Sequence, residues 1–174
     1  MIRVVRGDLA TLTVDGLVRP VRSDLAPVDG ASRDLMAAAG PELEARLERL
    51  GTLPVGGAVL TPSGRLPADY LIHVVVMSEE EPQTSLSIQR ALRNGLRRAS
   101  DWDLESLAVP VLGLGAGSIE PEAPARNLVE MLFNHLDEGV PPLELTIVVD
   151  SEFESKLFDR LVEDATRLRG SLQN

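Results

Sequence analysis

The sequence predicts a three-layer α/β/α sandwich built on a mixed, mostly parallel central sheet. Three observations carry this. Beyond residue 70, short apolar runs alternate with segments of helical periodicity. The runs are apolar almost throughout, as in strands buried on both faces. The length of 174 residues, with 44% apolar and 25% charged residues, suits one soluble domain with a sizeable core, taken as 1–174.

Ile2-Arg3-Val4-Val5-Arg6 alternates and stops at Gly7-Asp8, a strand ending in a turn. Gly16 to Val21 is a second extended segment, with Pro20 disfavouring a helix. Ser32 to Leu50 has helical propensity interrupted by Gly40-Pro41, which predicts two helices with Pro41 in the first turn of the second. Ala58–Thr61 and Tyr70–Val76 are strands separated by a turn-like Pro62–Pro67 segment. Ile88, Ala91, Leu92, Gly95, Leu96 and Ala99 follow helical spacing, as do Ala125, Leu128, Val129, Leu132, Phe133 and Leu136. Leu107–Leu112 and Leu145–Val149 read as buried strands. Pro110 predicts a bulge or an early stop in the first of them. Leu157, Leu161, Ala165 and Leu168 mark a final helix.

Composition excludes several chemistries. The chain has no cysteine, hence no disulfide, thiolate metal site or cysteine nucleophile. Two histidines and no cluster of ligating residues predict no metal, and no cofactor is expected. A net charge of −10 argues against nucleic-acid binding, and no run approaches a membrane span. The N-terminus lacks the apolar core of a signal peptide, so a cytoplasmic location is the default. The same charge repels an anionic nucleotide at long range, so a phosphate site must work locally, through backbone amides or a few placed arginines. Gly113-Leu114-Gly115-Ala116-Gly117-Ser118, between strand and helix, is the arrangement that sets backbone N–H groups against a phosphate. A plain tight turn is the bland alternative.

Several segments together resemble the macrodomain family, whose members bind ADP-ribose. They are Arg6-Gly7-Asp8-Leu9, Val14-Asp15-Gly16-Leu17-Val18, Ala39-Gly40-Pro41-Glu42-Leu43, Gly56–Thr61 with Leu66–His73, and Val109–Gly117. The resemblance runs from about residue 3 to residue 150 and places a proline where Pro110 stands. It implies that Asp8 accepts from the adenine amino group, that Leu9 supplies a backbone N–H, and that Gly113 to Ser118 hold the diphosphate. Phe153, after the last strand, is a candidate to stack on adenine, or simply the start of a helix's apolar face. The partners implied are ADP-ribose or a related nucleotide and an ADP-ribosylated protein; the oligomeric state is left open.

One segment departs from the family. Where many of its hydrolases carry Asn-Ala-Ala-Asn, this chain has Arg19-Pro20-Val21-Arg22. Arg19 and Arg22 are read three ways: as phosphate ligands, as residues filling the ribose site, or as surface cations paired with Asp24 or Asp29. Ungapped, the family's first glycine-rich loop falls on Pro27 to Ala31, with Gly30 and Ala31 as ligand contacts, and its acidic residue falls on Ser32. A three-residue shift would instead supply Asp29 as the acid. An arginine offers donors only and cannot act as a base. The expected function is therefore nucleotide binding with weak or no hydrolysis. A hydrolase using Asp29, or a degenerate scaffold with a closed pocket, are the alternatives. His73, in an apolar strand, reads as structural.

Overall fold

The computed structural model describes residues 1–113 and 121–172. In chain order these form β1 (Ile2–Arg6), a 3-10 turn (Leu9–Thr11), β2 (Gly16–Arg22), α1 (Gly30–Ala39), α2 (Pro41–Leu50), β3 (Ala58–Pro62) and β4 (Tyr70–Met77). There follow α3 (Ser85–Asp101), β5 (Ser106–Pro110), α4 (Glu122–Asp137), β6 (Glu144–Val149) and α5 (Glu152–Leu172). The strands form one sheet in the order β1-β6-β5-β2-β4-β3. All neighbours are parallel except β3, which runs antiparallel to β4 at the edge.

Strand alternation divides the core into two layers. Val18, Ile72, Val74, Leu107, Val109 and Ile147 face α3, α4 and α5, where Leu92, Leu132 and the fully buried Phe158 close the packing. Leu17, Val21, Leu71, Val75, Ala108 and Val148 face α1 and α2 through Leu35, Leu43 and Leu47. Helix α3 approaches β4 so closely that a Cβ at Gly95 would meet Val74 Cγ1 at 2.7 Å, so the position needs glycine. β5 stops at Pro110, which pairs with Val148. A residue without an N–H cannot extend the ladder on its donor side, so the apolar run to Leu112 leaves the sheet early.

The connections fix where a site can form. From β5 the chain passes through α4 to β6 on one side, whereas from β2 it passes through α1, α2 and β3 to β4 on the other. β5 and β2 are adjacent, so the winding direction reverses between them. In open α/β sheets the crevice at the carboxyl ends of such strands is where ligands bind.

Candidate functional site

Because β1, β6, β5 and β2 are parallel neighbours, the segments leaving their C-terminal ends share one edge. Asp8 and Leu9 leave β1, Phe153 follows β6, Gly113 follows β5, and Arg22 to Ser32 follow β2. Across four strands this edge measures roughly 14 Å at the usual strand spacing. The described sequence-derived candidates are thereby gathered on one rim, from Asp8 at one end to α1 at the other. Leu114, Gly115, Ala116, Gly117 and Ser118 lie outside the described residues.

At the β1 end, Asp8 is exposed and caps the 3-10 turn, its Oδ1 accepting from Ala10 N at 2.9 Å. Leu9 opens that turn and is half-buried. Phe153 is 63% exposed in the first turn of α5, leaving a ring face open to solvent. Gly113 adopts φ +84°, a left-handed backbone that takes the chain off β5, and a Cβ there would meet Ile88 Cδ1 at 3.0 Å.

At the β2 end the chain doubles back on itself. Leu25, at φ +66°, makes the turn, and Val21 bridges to Pro27 in antiparallel fashion. Asp29 then caps α1, its Oδ1 accepting from Ser32 N at 2.7 Å. The Ser32 hydroxyl donates to Pro20 O at 2.8 Å, tying α1 to β2. Gly30 and Ala31 are exposed in the first turn, where helix N–H groups have no acceptor within the helix. Arg22 is half-buried at a register shift in β2, and its backbone N–H donates to Ala26 O.

Alternation puts Arg19 on the same side as Leu17 and Val21, beneath this turn, and there it is completely buried. Of the three readings of this residue, the surface ion pair is excluded. Arg19 Nε donates to Ser32 O at 3.1 Å, and Nη1 lies 3.3 Å from both Leu25 O and His73 Nδ1. Nη2 is buried with no acceptor. Burial pushes the Arg19 pKa down to about 10, partly offset by the Asp29 charge, so it stays protonated at neutral pH. His73, its partner across β2 and β4, is driven down to about 3 by burial and then by the Arg19 charge. Because an arginine can only donate, the neutral imidazole accepts at Nδ1 and carries its proton on Nε2, which meets Thr61 Oγ1 at 2.9 Å. His73 thus serves packing and the Arg19 network, as a structural histidine does.

Beside Phe153 lies a groove of about 770 Å³ between the N-terminal turns of α4 and α5. Its walls are Pro121, Ala123, Leu157 and Phe153, with Glu122, Arg126, Lys156 and Arg160 around them. Sequence reading missed it, because its two halves are more than 25 residues apart. The signals it did offer were the Glu122–Arg126 spacing and the stripe Phe153, Lys156, Arg160 on one face of α5. Among the described residues, no group of acids and histidines is placed to hold a metal, and no helix is long and apolar enough to cross a membrane.

Comparison with known proteins agrees with this fold. The macro domain family model matches residues 18–128. A protein of Aeropyrum pernix is 34% identical over 98% of this chain and 89% of its own length. The O-acetyl-ADP-ribose deacetylase of Escherichia fergusonii is 30% identical over 92% of this chain and 94% of its own. The Oceanobacillus iheyensis macrodomain solved with ADP superposes with a TM-score of 0.82 at 21% identity, covering 95% of this chain and 92% of that one. The chain belongs to the macrodomain family.

Proposed function

We propose that this protein, as a single domain, binds ADP-ribose or a related adenine nucleotide across the rim formed by the ends of β1, β6, β5 and β2, with weak or no hydrolysis. The observation that carries the reading is the order of groups along the rim. An exposed acid-capped turn at Asp8, the open ring of Phe153, the left-handed Gly113 and the free N–H groups of Gly30 and Ala31 stand on four successive strand ends. That order suits an adenine, a diphosphate and a distal sugar in turn. A modified protein carrying ADP-ribose would present the same ligand.

Weak turnover follows from what the first loop does with its polar groups. The Asp29 carboxylate caps α1 and the Ser32 hydroxyl ties α1 to β2, so both are committed to the fold. A second reading, hydrolysis of an O-acyl-ADP-ribose, is favoured by one observation: Asp29 remains exposed at the rim. Its relatives named as deacetylases lend it support. Asp29→Asn keeps a capping oxygen but removes the base. Loss of turnover with binding intact supports hydrolysis through Asp29; turnover unchanged removes Asp29 from it.

Calorimetry with ADP-ribose tests binding directly. A Cβ at Gly30 meets nothing within 4 Å, so Gly30→Glu sets a carboxylate at the rim without disturbing packing. The expected result is saturable binding to the wild type and a loss of at least about tenfold in Gly30→Glu, a penalty of roughly 1.4 kcal/mol. A flat titration of the wild type at millimolar ligand would overturn the reading.

A further inference from the structure

The groove beside Phe153 contradicts the charge of the protein around it. The chain carries −10 overall, yet among the described residues three cations, Arg126, Lys156 and Arg160, line this concavity against a single lining carboxylate, Glu122. Lys156 is also paired with Glu152 at 2.9 Å. Among these described residues one positive charge is in excess, and the arginines carry it.

Those arginines are held in place. Glu122 Oε1 accepts from Arg126 Nη2 at 2.7 Å, and its Oε2 accepts from Arg160 Nη2 at 3.0 Å. One carboxylate thus clasps two guanidiniums from different helices side by side. Each engages it through one nitrogen, and both side chains are about half exposed. Paired guanidiniums with free edges match the oxygens of a phosphate, which carries about −1.5 to −2 charge as a monoester. Pro121, Ala123 and Leu157 add apolar wall beside them.

Position along α5 indicates which phosphate. Phe153, Lys156 and Arg160 lie on one face, so Lys156 sits about 4.5 Å and Arg160 about 10.5 Å along the axis from Phe153. Phe153 itself lines the groove, so a nucleoside stacked on its ring would set its ribose beside these cations. We propose that the groove between α4 and α5 is a phosphate subsite, in which Arg126, Arg160 and Lys156 receive a phosphate ester on the ribose of the adenosine. The protein then prefers nucleotides phosphorylated on that ribose over those that are not. This rests on the nucleotide reading above and adds the ligand class.

The test titrates AMP, adenosine 2′,5′-bisphosphate and adenosine 3′,5′-bisphosphate into the wild type and into Arg126→Gln/Arg160→Gln. Both arginines are about half exposed, so the double variant should fold, and its melting curve verifies this. The expected result is at least tenfold tighter binding of one bisphosphate than of AMP by the wild type. That preference should vanish in the double variant, with AMP affinity unchanged, and shrink as salt rises from about 50 to about 200 mM, because exposed charges are screened. If AMP binds but neither added phosphate helps, or if the gain survives the double substitution, the subsite is wrong while the nucleotide reading stands. If neither AMP nor ADP-ribose binds the wild type, both fall together.

Discussion

Arg19 and the Arg126–Arg160 pair are the same side chain in opposite settings. Arg19 is completely buried, without a carboxylate in contact, and spends its donors on two backbone carbonyls and a histidine. Arg126 and Arg160 are about half exposed and share one carboxylate at the mouth of a groove. Burial makes the first a part of the fold. It holds the turn at Leu25 and the start of α1 against β2, and so sets one wall of the rim. Exposure leaves the second pair free to meet a ligand, and water screens most of what they give to stability. An arginine near a candidate nucleotide site is therefore not by itself a phosphate ligand; its depth decides.

The largest effect should come from breaking the buried side of this comparison. Arg19→Ala leaves Leu25 O, Ser32 O and His73 Nδ1 without their donor and opens a cavity beneath the turn. A loss of about 3–5 kcal/mol in urea unfolding is expected. Arg19→Met fills the volume and removes the uncompensated charge, so its cost should be well below that of alanine. Equal losses in the two variants would mean that the lost hydrogen-bond network, not the volume, sets the cost at this site.

Next is the pH dependence of the same network. His73 has its folded pKa depressed to about 3, against 6.5 for an unburied histidine. Between these values the unfolded chain binds a proton that the native protein refuses. Its contribution to stability is present in full above about pH 6.5 and is lost as pH falls, by up to about 1.4 kcal/mol per unit, until about pH 3. Denaturant titrations at pH 7, 6 and 5 measure the slope, which should be shallower in His73→Gln. No difference between the two slopes would place the acid sensitivity elsewhere.

Much of this was legible in the sequence, and what was not has a physical reason. Period-two alternation already puts Arg19 with Leu17 and Val21, so its burial on the α1 side could have been read from the strand. The helices over Ile88–Ala99 and Ala125–Leu136 follow from their apolar spacing, and the break at Gly40-Pro41 is where α1 gives way to α2. Strand order was not legible, because nothing local says that β6 inserts between β1 and β5. Nor was the groove. Glu122–Arg126 is one helical turn, but Glu122–Arg160 joins residues from two helices and exists only once α4 and α5 are packed. At the rim, the spacing of Asp29 to Ser32 was visible, whereas the bond of Ser32 to Pro20 depends on the chain doubling back at Leu25.

The smallest effect separates the two regions most cleanly. Arg126→Gln removes one arm of an exposed ion pair whose carboxylate keeps Arg160. Arg126 and Arg160 both hold the Glu122 carboxyl below its ordinary range, the hydrogen bond from Arg126 being the largest cause, but that group is solvated and pairs of this kind contribute little. A stability change within about 0.5 kcal/mol is expected, set against the several lost at Arg19. Its whole consequence should be seen in ligand binding and in the salt dependence of that binding. A large loss of stability in Arg126→Gln would make the Glu122 clasp a structural joint between α4 and α5, and the contrast between buried and exposed arginines would collapse.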